Sequence, residues 1–268
     1  MNQELINAFA LTFFAGLATG IGGIPVLFSR KMNTRFLAGS LGFSAGVMLY
    51  VSFVELYATG TSLLESSLGS GTGTRISTLA FFAGIMLAGL IDKLVPEEQN
   101  PHEIRFSSET GSPGSQNTFH PLYRVGLTTA FAIAVHNLPE GLATFAAATS
   151  DTGLGMVVAS AVAIHNIPEG LAVAIPIYFA TGNRIKAFWY ALLSGMAEPV
   201  GAVIGYMILA PLLGATLHGS LFSLVAGIMV FISLDELLPT AEEYGEHHLC
   251  IYGMVAGMLT MAASLLIL

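Results

Sequence analysis

The sequence predicts an all-α integral membrane protein: eight transmembrane helices in a 3+2+3 inverted-repeat arrangement. Three observations predict it. Of 268 residues, 54% are hydrophobic and only 10% charged, with a mean hydropathy of +0.73, whereas a soluble domain carries about 25% charged residues. Eight segments hold the roughly 20 apolar residues that a helix needs to cross a bilayer. Internal sequence matches pair segments that would cross the membrane in opposite directions. The same composition excludes a cytosolic enzyme and a disordered chain, and the net charge of −8 excludes a nucleic-acid partner. One cysteine, Cys250, excludes a disulfide framework, a redox pair and a thiolate zinc site. The first residues, MNQELINAF, lack a basic stretch, so no cleaved signal peptide is expected.

In order, the spans are Leu5–Phe28, Phe36–Thr59, Ile76–Val95, Leu122–Thr149, Gly153–Ala180, Ala187–Leu213, Ser220–Pro239 and Leu249–Leu268. Unbroken apolar runs favour helices over barrel strands, which alternate, and the 30 glycines suit close helix packing in lipid. The chain therefore reads as one transmembrane domain, 1–268. Helices one to three occupy 5–95, a connection fills 96–121, helices four and five occupy 122–180 and helices six to eight occupy 187–268. Arg30, Lys31, Arg35, Lys93, Arg105, Arg124, Arg184 and Lys186 fall on one side and only Arg75 on the other. The positive-inside rule then puts both termini outside the cytoplasm of a multi-pass cell-membrane protein. The connection 96–121 is Ser/Gly/Pro-rich and carries Glu97, Glu98, His102, Glu103 and Glu109. It reads first as a solvated cytoplasmic linker and second as a metal-collecting loop.

Three matches organise the chain. AVHNLPEGLA of span four recurs 29 positions on as AIHNIPEGLA of span five. AGVMLYVSFVEL (Ala45–Leu56) recurs 181 positions on as AGIMVFISLDEL (Ala226–Leu237), and AGLATGIGG (Ala15–Gly23) recurs 179 on as SGMAEPVGA (Ser194–Ala202). Spans three and eight share only a faint resemblance. In each pair one copy runs outward and the other inward. Such inverted repeats typify transporters, whose related halves expose one central site to either side.

The repeats carry the polar residues. His136 and Glu140 lie one helical turn apart on one face, with Asn137 flanking the carboxylate, and span five repeats them as His165, Asn166 and Glu169. Both motifs lie about 14 residues from Asp151, roughly 20 Å along a helix, and so near mid-membrane. Span six adds Glu198, well inside its helix. Pro139, Pro168 and Pro199 free the carbonyls of Val135, Ile164 and Gly195, which suits a polar path. No lysine or arginine lies deep enough to neutralise these acids, each of which costs about 2.5–3.5 kcal/mol at mid-helix. Protons or cations must compensate. Imidazoles among carboxylates favour a transition metal over magnesium or calcium. One metal is expected among His136, Glu140, His165 and Glu169, and a second among Asn137, Asn166 and Glu198 with Glu140 and Glu169 shared. The longer repeat also pairs Glu55 with Glu236, beside Asp235, as possible carboxylates at the outer and inner mouths. Ser52 pairs with Ser233, and Met48 with Met229 as packing residues. Glu242, Glu243, Glu246, His247 and His248 form a loop cluster that either receives exiting metal or is simply polar.

HNLPEG with HNIPEG, SGMAEPVG and SLDELLP resembles the ZIP family of zinc/iron-type transporters, in its bacterial zinc-uptake branch, over nearly the whole chain. The resemblance implies eight helices with both termini outside. It also implies a binuclear site at His136, Asn137, Glu140, His165, Asn166, Glu169 and Glu198, and a homodimer. Spans one, four, five and six would move against two, three, seven and eight. The expected function is secondary import of Zn²⁺, with Fe²⁺, Mn²⁺, Co²⁺ and Cd²⁺ as further cargo. Its partners are the metal ion and the lipid bilayer, with no catalytic cofactor. No Walker motif occurs in the chain. A passive channel uses the same residues and stays open as the alternative. An intramembrane metalloenzyme fits less well, because HxxxE is neither HExxH nor ExxH. A bis-histidine haem protein is disfavoured by glutamates one turn from each histidine.

Overall fold

The computed structural model describes residues 3–28, 34–94, 119–209, 214–243 and 247–267. Most of the connection 96–121, together with Arg30, Lys31 and Glu246, lies outside them. Among the described residues every regular element is helical, and seven helices are long and apolar enough to cross a membrane. These are Gln3–Phe28, Ala38–Leu68, Ser70–Leu90, Thr152–Thr181, Arg184–Met207, Ala215–Glu242 and His247–Leu266. A further helix, Phe119–Ser150, has 32 residues. The outward faces are apolar: Met86 and Met207 are each 74% exposed. The interior is apolar too, with large side chains such as Phe145 and Phe222, but it also holds many alanines and a set of buried polar residues, and small residues let helices pack closely in lipid.

We label the helices α1 (Gln3–Phe28), α2 (Thr34–Val51), α3 (Tyr57–Leu68), α4 (Ser70–Leu94), α5 (Phe119–Ser150) and α6 (Thr152–Thr181). They continue as α7 (Arg184–Gly195), α8 (Ala197–Leu209), α9 (Ala215–Ile232), α10 (Leu238–Glu243) and α11 (His247–Ile267). Two single π-turns interrupt the ladder, at Ser52–Leu56 between α2 and α3 and at Ser233–Leu237 between α9 and α10. They sit at the same place in the 181-residue repeat, and in each the leading serine donates back one turn, Ser52 to Met48 O at 2.6 Å and Ser233 to Met229 O at 2.7 Å.

Short caps set the hairpins. Asp151 alone joins α5 to α6, its Oδ1 accepting the Leu154 amide at 2.8 Å. Gly182 closes α6 in the left-handed region (φ +64°), and Asn183 caps α7 through the Lys186 amide at 3.0 Å. Gly69 (φ +83°) is the whole turn between α3 and α4. Residues 60–75, expected from their low hydropathy to link two spans, instead extend both helices. Leu64 is fully buried, and Gly60 lies against Gly219 of α9.

Helix contacts sort into two groups. α1, α5, α6, α7 and α8 pack on one another; α2 packs on α11, and α3 and α4 on α9. The groups meet chiefly where α2 crosses α6. Glycines set the closest crossings, and they come in matched sets. A Cβ at Gly22 would strike Ile167 O and one at Gly170 would strike Thr19 O; correspondingly, Gly201 meets Leu138 O and Gly141 meets Glu198 O. Elsewhere Gly46 meets Met254 O and Gly257 meets Phe43 O, while Gly227 meets Phe81 O and Gly84 meets Leu224 O. The first two sets follow the offsets of 179 and 29, and the last two link α4 to α11 at an offset of 173 that their side chains barely reveal.

Candidate metal centre

The twin motifs lie on α5 and α6, antiparallel neighbours joined at Asp151, so equal distances from that turn become equal depths. Asn137, Glu140, His165, Asn166, Glu169 and Glu198 are each at most 1% exposed. The described buried polar residues include no lysine or arginine, as the charge distribution in the sequence implies. His165 Nε2 of α6 lies 3.1 and 3.2 Å from the two carboxylate oxygens of Glu140 on α5. Imidazole and carboxylate thus share a proton across the helix pair. Ser44 of α2 donates to His165 O at 3.1 Å and ties this position to the second helix group.

The asparagines are held alike. Asn137 Nδ2 donates to Ser194 O on α7 at 3.2 Å, and Asn166 Nδ2 donates to Ala15 O on α1 at 3.0 Å. Ala15 and Ser194 are the first residues of the AGLATGIGG and SGMAEPVGA segments, so the two bonds are images of each other. Asn166 Nδ2 also makes a short hydrogen bond to Glu198 Oε1. With the amides fixed, both Oδ1 atoms are buried, and among the described residues neither has a hydrogen-bond partner. A buried carbonyl oxygen without a donor is costly and is what a cation accepts.

Glu198 is not deep within one helix, as the sequence suggested. The span breaks at Met196, three residues before Pro199, where the ring removes the donor for Gly195 O. Glu198 therefore sits in the first turn of α8, whose positive end favours a carboxylate. At Pro139 and Pro168 no such break occurs, and α5 and α6 run on as continuous helices.

Among the described residues no three His, Cys, Asp or Glu side chains converge on one metal position. The side chain of His136 lies outside the described part of the structure, as does that of Glu236. A cavity of about 10 Å³, room for about one water, adjoins Glu140 and is bounded by Val51, Leu56, Val162 and Met229. Glu55 and Asp235 are half-buried in the two π-turns; Glu55 accepts from Thr59 at 3.3 Å. In the loop cluster His247 Nδ1 meets Glu242 Oε1 at 2.8 Å, both well exposed. The carbonyls of Ala15 and Ser194 escaped the sequence reading, because backbone atoms leave no mark on composition. Their place at the start of a repeat was the available signal.

A bundle of apolar helices enclosing histidine, carboxylate and amide groups, with no lysine or arginine among the described buried residues, defines a membrane protein that handles cations. A family model described as ZIP Zinc transporter matches residues 92–265. The zinc transporter ZupT of Streptococcus mutans is 54% identical over 267 residues, 100% of this chain and 99% of that one. That of Clostridium perfringens is 53% identical over 278 residues, covering 100% and 97%. That of Chlorobium phaeovibrioides is 57% identical over 268 residues, covering 99% of each. The chain belongs to the ZIP zinc transporter family. It is a multi-pass membrane transporter of divalent metal ions, not an enzyme.

Proposed function

We propose that this chain is a secondary carrier that imports Zn²⁺, with Fe²⁺, Mn²⁺, Co²⁺ and Cd²⁺ as further cargo, across the cell membrane. Its relatives are named zinc transporters, and oxygen and nitrogen donors without thiolate suit this set of ions. The observation that carries the reading is the donor set itself. His165 paired with Glu140, and the two asparagine oxygens without a hydrogen-bond partner among the described residues, stand where none of the described buried residues is a lysine or arginine.

In this reading the site is binuclear. His136, Glu140, His165 and Glu169 hold one ion; Asn137, Asn166 and Glu198, with Glu140 and Glu169 bridging, hold the second. Metal binding displaces the proton shared by His165 and Glu140, since both ligands must be deprotonated. The architecture is a single eight-helix domain in a 3+2+3 inverted repeat with both termini extracytoplasmic. The paired glycine crossings and paired asparagine bonds support the repeat. The group α1, α5–α8 rocks against the rest, in a homodimer. Glu55 serves the outer mouth and Asp235 with Glu236 the inner one.

The test is uptake by proteoliposomes offered each metal, with and without a pH gradient, for the wild type and Glu169→Ala. Slow, saturable Zn²⁺ uptake that vanishes in the variant is expected. Wild-type uptake by Glu169→Ala overturns the site, and uptake that does not saturate makes the protein a channel.

A further inference from the structure

The matched glycine crossings align α1 with α7–α8 residue by residue, Gly16 on Gly195 and Gly22 on Gly201, and so Thr19 on Glu198. Glu198 stands at the Asn166 end of the centre, joined to that amide. Its counterpart Thr19 is fully buried. A Cβ added at Gly195 would lie 2.7 Å from Thr19 Oγ1, so the hydroxyl lies beside the residue next to Ser194, whose carbonyl holds Asn137. Thr19 is thus at the Asn137 end.

Its hydroxyl, like that of Thr144 on α5, departs from the usual helical pattern. A helical threonine normally donates to the carbonyl one turn back, as Thr12 does to Ala8 O at 2.9 Å, Thr61 to Tyr57 O at 2.8 Å and Thr181 to Ile177 O at 2.7 Å. Thr19 Oγ1 makes no such bond and has no hydrogen-bond partner among the described residues. Asn137 Oδ1, at the same end, has none either.

We infer that Thr19 Oγ1 is a further oxygen donor to the transported metal, completing the Asn137 end of the centre as Glu198 completes the Asn166 end. This rests on the transporter reading above. The two ends of the second ion's shell then differ by one negative charge, and that ion is held more weakly from the neutral end. A carrier must release its ion as well as bind it, and a carboxylate at both ends opposes release.

Purified protein in proteoliposomes tests this with Thr19→Val, Thr19→Ser and Thr19→Cys, each checked for wild-type thermal unfolding. Valine keeps the shape and loses the oxygen. It should raise the KM for Mn²⁺ at least fivefold, and that for Zn²⁺ less, because Mn²⁺ depends more on oxygen donors. Serine keeps the oxygen and should stay within twofold. Cysteine replaces oxygen by sulfur and should raise the Cd²⁺ to Mn²⁺ uptake ratio at least fivefold, which a packing role cannot do. A valine variant within twofold of wild type overturns the inference. So does an unchanged Cd²⁺ to Mn²⁺ ratio for cysteine, which decides the matter even if valine misfolds. Failure of the wild type itself to take up metal, or full activity of Glu169→Ala, overturns the transporter reading instead.

Discussion

Away from the centre, Thr61 of α3 meets Ser77 of α4 at 2.6 Å, and Ser77 meets Ser223 of α9 at 2.9 Å. Thr61 and Ser223 also donate to carbonyls one turn back, Tyr57 O at 2.8 Å and Gly219 O at 2.9 Å. Each hydroxyl in this ladder is satisfied by protein. At the α5–α6 centre the opposite holds, because both asparagine oxygens and the Thr19 hydroxyl are buried without a hydrogen-bond partner among the described residues. Both clusters tie helices together deep in the bundle. The difference is that one is complete as it stands and the other is complete only with something added. A satisfied buried network rigidifies, and an unsatisfied one is retained where a ligand completes it.

The sharpest way to break that contrast is at the His165–Glu140 pair. His165→Ala should lower Zn²⁺ uptake at least about 100-fold, since even residues behind the ligands of a metal site cost about 10–100-fold. Initial-rate transport at matched membrane expression checks it. Uptake within tenfold of wild type would place the pair among structural contacts.

Next come the asparagines. Asn166→Leu and Asn137→Leu each remove a buried oxygen and a cross-helix bond. Both should raise the Zn²⁺ KM about tenfold, the increment of about 1.4 kcal/mol. Asn166→Leu should be the worse, because it also strips Glu198 of its amide donor. Equal effects would mean that the two ends do not differ.

Smaller again is the effect of crowding a crossing away from any ligand. Gly84→Ala pushes a methyl group into Leu224 O between α4 and α9. It should lower folded yield and thermal stability, by about 1–3 kcal/mol for overpacking, with the KM of the surviving protein unchanged. A changed KM would couple that helix pair to the centre.

Much of this was legible in the residues. HNLPEG and HNIPEG announce themselves because five polar or helix-bending positions recur together, and a 20-residue apolar run is its own signal. The break at Met196 is hard to read from sequence: SGMAEP interrupts the apolar run only briefly, and Pro199 marks a freed carbonyl without saying whether the helix stops. The turn at Gly69 was missed because Ser/Thr/Gly-rich helix ends look like loop when their partners are unknown. The likeness of α4 to α11 is only faint in the residues because what repeats there is backbone proximity at Gly84 and Gly257, while the outward side chains diverge freely against lipid. Thr19 falls opposite Glu198 in the shorter match. A hydroxyl facing a carboxylate reads as a mismatch until both are seen buried at the ends of one centre.

The least effect belongs to the completed ladder. Ser77→Ala deletes the hydroxyl between Thr61 and Ser223, but each of those keeps its own carbonyl acceptor. No buried donor is stranded. Cross-helix hydrogen bonds in membranes average about 0.6 kcal/mol, so a loss of about 0.5–1 kcal/mol is expected, read as a small fall in unfolding temperature. Uptake KM and metal order should match wild type. That outcome separates a polar cluster that holds helices from one that holds cargo. A Ser77→Ala variant with altered metal preference would show that partner-satisfied hydroxyls also face the ion path, and the rule dividing the two clusters would fail.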